Sequence, residues 1–263
     1  MKLVATLLPN KGPIKVVPLA DLHIGSPKCD LDRIQEVIAD IADDPDCFVI
    51  LGGDLINNAT KSSVSDTYNE TMSPMEQAKL VVDILKPIKD KVLAVVTGNH
   101  EARSLKGDGL DIMWFVCVEL GIESKYDPDG VVSLVRFGKT LDPTKGNKSC
   151  YSIYVTHGDK IGGGTTGGKM NGLEKRGLIV NADVIITGHT HSPATFKTAS
   201  FIIDEHNDKI LTKEQTFVNT GAWLNWEGYA ERCGYKPSST AMPTITLYPK
   251  RTSKDSKYVQ VHL

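Results

Sequence analysis

FVILGGD, residues 48–54, is a short apolar run that ends in two glycines and an aspartate. Apolar residues without polar alternation suit a strand buried on both faces. The glycines let the chain turn sharply where the strand stops. The Asp54 carboxylate then falls at the carboxyl edge of a sheet, where open α/β folds place ligands. The pattern recurs. Residues 16–19 run into Asp21 and His23, and residues 92–96 into Asn99 and His100. Residues 153–155 run into His157, and residues 184–186 into His189 and His191. Each apolar run delivers Asp, Asn or His just past its end.

Working outward, strands are expected at 14–19, 47–51, 92–96, 131–137, 150–156 and 184–187. Further strands are expected near 201–203, 217–218, 245–248 and 259–261. Apolar positions at 31, 34, 37, 38 and 41 have helical spacing, with Asp30 as cap. Ser73-Pro74-Met75-Glu76 is a capping box with proline at the first helical position, and its helix runs to about Leu85. Within 108–120, the segment LDIMWFVCVEL is apolar nearly all round, and Gly121 ends it. It is expected either to lie under loops or to form a subunit contact. Loops are expected at 57–73, 138–149 and 158–172, all on the rim of the strand ends, with a short helix at 173–180. The first half alternates strand and helix, and the second half is mostly strand. That order predicts two sheets packed together with helices outside, in one domain over 1–263.

The chain has 263 residues and a net charge of −2, so no basic coat marks it for nucleic acid. Its five cysteines are odd in number and form no CxxC pair, which reads as reduced thiols and a cytoplasmic protein. Pro9 and Lys11 interrupt the apolar start before a signal-peptide core forms. No apolar run approaches the roughly 18 residues a membrane span needs. The sequons at Asn58, Asn69 and Asn147 are therefore read as chance. GGTTGGK, residues 163–169, nearly matches a phosphate-binding loop, but Met170 stands where Ser or Thr is required. What survives is a rim in which Lys169 is available to a substrate phosphate. Arg103, just after the histidine of GNHE, is a second candidate for that role.

Asp21, His23, Asp54, Asn99, His157, His189 and His191 are nitrogen and oxygen donors without a thiolate. Such a set suits Mn first, with Fe, Ni and Zn also accommodated. Asp21 and His23 lie two apart, as do His189 and His191, so an extended backbone would aim each pair to one side. Seven ligands exceed one tetrahedral ion and match two ions that share a carboxylate. Two ions roughly 3.5–4 Å apart clamp the attacking and leaving oxygens of an in-line displacement at phosphorus.

DLH at 21–23, GGD at 52–54, GNHE at 98–101, HG at 157–158 and GHTH at 188–191 occur in an order that resembles the calcineurin-like metallophosphoesterase superfamily. NTGA at 219–222 is similar to a later turn of many members, with threonine in place of proline. The resemblance implies a four-layer α/β/β/α sandwich of two mixed sheets with helices outside. It implies that Asp21, His23, Asp54 and His191 hold one metal, and that Asp54, Asn99, His157 and His189 hold the other. It makes His100 the non-ligand catalytic histidine facing the leaving group, with Glu101 placed to orient it. The implied activity is hydrolysis of phosphate esters, with nucleotide or small diester substrates ahead of monoesters. DNA is a further candidate substrate, by exonuclease or endonuclease action, and a metal-binding adaptor of the same fold is the non-enzymatic alternative. No membrane partner is expected, and an oligomer would form through the apolar helix at 110–120.

Overall fold

The computed structural model describes residues 1–60, 67–138, 149–158, 165–225, 239, 241–249 and 257–263. The expected loop at 138–149 and the first half of the glycine-rich stretch fall largely outside these residues. The described strands form two mixed sheets. The smaller contains β2 (Ile14–Leu19), β3 (Cys47–Leu51), β4 (Val92–Val95), β10 (Thr244–Leu247) and β11 (Val259–His262), in the order β11-β10-β2-β3-β4. The larger contains β1 (Lys2–Leu8), β5 (Val131–Phe137), β6 (Ser149–Val155), β7 (Val184–Thr187), β8 (Ala194–Asp204) and β9 (Lys209–Asn219), in the order β1-β5-β6-β7-β9-β8.

The burial of β3 explains its unbroken apolar run. Val49 and Leu51 face helices, while Ile50 faces the other sheet. The helical side is formed by α1 (Leu31–Asp43), α2 (Pro74–Leu85) and α4 (Ile112–Leu120), whose Ile34, Ile38, Val81, Leu85, Met113 and Val116 close one core. A second core lies between the sheets, where Val16, Ile50 and Val96 meet Val155, Ile186 and Val218. A third lies beyond the larger sheet, under α5 (Thr166–Gly177), where Leu173 packs with Tyr154, Ile185 and Phe217. The order helix, sheet, sheet, helix is the expected four-layer sandwich. Among the described residues, no helix is long and apolar enough to cross a membrane.

The helix starts follow the expected chemistry. The Asp30 side chain accepts from the Arg33 amide, and Ser73 and Glu76 complete a reciprocal capping box. Three expectations need correction. The apolar helix expected at 110–120 is α4, but the short helix that precedes it was not expected. A short α3 (Glu101–Asp108) stops at Gly109 in the left-handed conformation, and α4 restarts at Ile112, capped by Asp111. Its all-round apolarity is resolved by packing: Ile112, Met113, Val116, Cys117 and Leu120 are buried, while Trp114 and Val118 are about half exposed. The helix expected at 173–180 starts earlier, at Thr166, because Thr165 accepts from the Gly168 amide and nucleates it. Finally, β1 and the long β8–β9 hairpin were not legible as such. The β1 strand is apolar in sequence but lies on a sheet edge and is only partly buried, and β8 is interrupted by Lys197, Thr198 and Ser200.

Asn58 is fully buried, which bars a glycan there, and Cys29, Cys47, Cys117 and Cys150 are free thiols. The α5 layer rests on Phe217, whose ring stacks on Phe196 at 4.7 Å between centroids. Phe217→Ala is expected to lower unfolding free energy by about 3–5 kcal/mol, the usual cost of emptying a buried aromatic position. Urea denaturation followed by circular dichroism measures it.

Candidate metal centre

Strands β2, β3 and β4 run parallel to one another, as do β6, β7 and β9. Each trio therefore ends on one edge of its sheet, and the intersheet core brings the two edges together. The chain after β2 carries Asp21 and His23, that after β3 carries Asp54, and that after β4 carries Asn99 and His100. From the other sheet come His157 after β6, and His189 and His191 after β7. All seven residues expected as ligands converge here.

The contacts cross between the sheets. His191 Nε2 lies 3.3 Å from Asp21 Oδ1 and 3.1 Å from His23 Nε2. His157 Nε2 lies 3.1 Å from both Asp54 Oδ2 and Asn99 Oδ1. His189 Nδ1 lies 2.7 Å from Asn99 Oδ1. Two groups of donor atoms, each lying within 4.8 Å of one another, are Asp21, His23, His191 and Asp54, His157, His189. A third such group joins His23, Asp54 and His100, so Asp54 belongs to two of them.

The backbone here is not extended, as the two-residue spacings suggested. Asp21, His23, Asp54, Asn58, His189 and His191 all have left-handed φ, between 42° and 68°. For residues with a side chain this costs roughly 1–2 kcal/mol each. The surroundings hold the strain in place. The Asp21 carboxylate accepts from the His189 amide at 3.0 and 3.1 Å and from Thr220 Oγ1 at 3.1 Å. Asn219 donates through Nδ2 to Thr190 Oγ1 and to the Ser192 carbonyl, both at 2.7 Å. The NTGA turn thus braces both Asp21 and the GHTH loop. His157 donates through Nδ1 to the Gly52 carbonyl at 2.8 Å, which fixes its ring.

Charge in the site is tightly balanced. Burial would raise the Asp54 carboxyl, but His157 overrides it and holds the pKa well below the usual range. Burial would lower His157, yet Asp54 lifts it to about 10. Burial likewise pushes Asp21 up, and the hydrogen bond and charge of His191 bring it down. Burial, then His100 and His191, press His23 toward the neutral form. Its Nδ1 is buried without a hydrogen-bond partner while its Nε2 faces a second imidazole nitrogen. Converging lone pairs beside two buried carboxylates call for positive charge, and borderline divalent metals fit this donor chemistry.

His100 stands at the edge of the cluster. Its Nε2 is 3.8 Å from Asp54 Oδ2, and its ring meets that of His23 edge-on at 4.5 Å. Burial lowers its pKa, opposed by Asp54. Glu101 does not orient it, contrary to expectation. His100 Nδ1 donates instead to the Asn57 carbonyl, while Glu101 points to backbone amides. Arg103 donates through Nη1 to the carbonyls of Asn57 at 3.1 Å and Asn58 at 3.2 Å. Lys169, on α5, donates to the Thr190 carbonyl at 3.0 Å and to Ser192 Oγ at 2.6 Å. Both cations thus border the site, but these hydrogen bonds brace its loops. Sequence reading marked Thr220 only as part of NTGA, without its contact to Asp21, and Asn58 only as a sequon, because burial and left-handed backbone are not spelled out by a motif.

Comparison with known proteins gives the family. Residues 14–193 match the family model described as calcineurin-like phosphoesterase. No curated protein matches the chain. Among solved structures, it is similar to vacuolar protein sorting 29 from Cryptosporidium parvum, at 15% identity and a TM-score of 0.47 over 95% of this chain and 97% of that one. A metallophosphoesterase from Sphaerobacter thermophilus shares 13% identity, with a TM-score of 0.42 over 95% of this chain and 87% of that one. Vps29 complexed with zinc, from Entamoeba histolytica, shares 13% identity, with a TM-score of 0.38 over 95% and 98% of the two chains. The family model spans well over half of the sequence and encloses every candidate ligand, so the chain belongs to the calcineurin-like phosphoesterase family.

Proposed function

We propose that this protein is a dinuclear metal-dependent phosphodiesterase acting on nucleotide or small diester substrates. The observation that carries the reading is the convergence of seven donor side chains from two sheets, with Asp54 common to two groups and His100 beside it. Asp21, His23, Asp54 and His191 would hold one cation, and Asp54, Asn99, His157 and His189 the other, with Mn the first choice. When bound, the pair supplies Lewis acidity toward a phosphoryl oxygen and acidifies a water.

The remaining work falls to the chain. His100, fixed through Nδ1 by the Asn57 carbonyl, presents Nε2 at the rim of the cluster. There the ring in its imidazolium form donates the Nε2 proton to the departing alkoxide and is left neutral, or gives a hydrogen bond to the developing charge. The diester preference draws support from the two nearby cations. Arg103 and Lys169 use hydrogen bonds on loop carbonyls, which reduces what remains for the second negative charge of a monoester. A singly charged diester needs less compensation.

Side-by-side assays of the Mn²⁺-loaded protein on bis-nitrophenyl phosphate, nitrophenyl phosphate, cyclic nucleotides and single-stranded DNA test the reading. A higher kcat/KM on diesters is expected. Preference for the monoester would make it a phosphomonoesterase, and preference for DNA a nuclease. Bound metal with no hydrolysis of any ester would point to the adaptor role.

Elemental analysis after reconstitution should approach two metals per chain, and Asp54→Asn should lose both metal and activity. One metal at saturating Mn²⁺ with full activity would overturn the shared-carboxylate scheme.

His100→Ala should lower kcat by about 10²–10⁴, the usual range for general acid catalysis, with metal content unchanged. The loss should shrink when nitrophenolate is the leaving group, since it departs without a proton. An equal loss on all esters would assign His100 to transition-state hydrogen bonding, and a lost metal would make it a ligand.

A further inference from the structure

Glu101 is almost wholly buried, at 1% exposure, and its carboxylate touches neither His100 nor the candidate ligand side chains through any hydrogen bond described above. Both of its oxygens are taken by backbone N–H groups. Oε2 accepts from Asp54 at 3.0 Å and Gly98 at 2.9 Å. Oε1 accepts from Leu55 at 2.6 Å and Ile56 at 3.2 Å. These amides belong to two different turns, the one after β3 that carries Asp54 and the one after β4 that carries Asn99.

The two turns touch backbone to backbone. A methyl at Gly53 would lie 2.4 Å from the Gly98 nitrogen, and one at Gly98 would lie 2.1 Å from Asp54 Oδ1. Asp54 itself is left-handed, with φ of 53°, and its Oδ1 accepts from the His100 amide at 2.8 Å. Without a partner, three successive amides at 54–56 would be buried in a strained turn with no acceptor.

We propose that Glu101 is the positioning residue of the metal centre. It clamps the turns after β3 and β4 together and presets the left-handed backbone of Asp54, so that the shared carboxylate is aimed before any cation arrives. It acts through Asp54 and not through His100. The proposal rests on the dinuclear reading of the site, but its test does not require hydrolysis.

The chemistry restricts substitution. Each oxygen faces two N–H donors, so glutamine must set an NH₂ group against one of the two pairs. Aspartate is one methylene short. Glu101→Gln is therefore expected to weaken Mn²⁺ binding by about 10–100-fold, the range for groups that support metal ligands, while its circular dichroism stays unchanged. Calorimetric titration with Mn²⁺ reads this directly. A lowered melting temperature with wild-type Mn²⁺ affinity would reduce Glu101 to a structural part and overturn the proposal.

On esters, the loss in Glu101→Gln should be the same for good and poor leaving groups. A loss confined to poor leaving groups would mean action through His100 and would also overturn it. Should the variant fail to fold, amide hydrogen exchange on the wild-type protein after chelation decides. Slow exchange at 54–56 and 98 without metal is expected, and fast exchange there would defeat the idea of a preset turn. If the protein binds Mn²⁺ but cleaves nothing, the proposed function fails while the titration still tests the clamp.

Discussion

Two carboxylates, Asp21 and Asp54, are buried where the edges of two sheets meet. An uncompensated charge in such a place is costly enough to unfold a protein of ordinary stability. The surrounding architecture supplies the compensation. Asp21 receives an amide, a hydroxyl and an imidazole from the far sheet, and Asp54 receives His157 from that same sheet. The smaller sheet carries both carboxylates and could not bury them alone. The packing of Ile50 and Val96 against Ile186 and Val218 therefore sets the spacing on which the chemistry depends.

Much of this was legible in the sequence because central parallel strands are buried on both faces. Their apolar runs stand out, and whatever follows them is delivered to one edge. Which side chains converge at the candidate metal centre was legible for the same reason. The edges of the sheets were not. The β1 strand is only partly buried, and β8 is interrupted by polar residues, so neither stands out as a central strand does. The short α3 was not legible because EARSLKGD presents no apolar stripe. The left-handed turns were invisible because aspartate and histidine carry no mark of unusual backbone, whereas glycine does. Glu101 was noticed for its neighbour in the chain, yet its partners are amides, which no motif spells out.

The charged residues at the rim also have work within the fold. Arg103 and Lys169 follow metal-site motifs, which suggests contact with a phosphate. Each ties a loop carbonyl from a different element, Arg103 one after β3 and Lys169 one after β7. A flexible cationic side chain near an unpaired carbonyl will satisfy it, because a buried acceptor left open costs more than a surface charge gains. Their location at the rim and their use in bracing are thus one fact.

The left-handed ligands have a consequence for how such a site survives. Glycine at Asp21, His23, His189 or His191 would relax the backbone, and several of these changes would also thin out the buried charge. Selection for folding alone would drift toward a quieter, glycine-rich rim that binds nothing. Each side chain at these positions thus carries a backbone cost that folding alone does not repay. That cost is set against what the site does, and a protein freed from that demand would be expected to lose its histidines before it lost its fold.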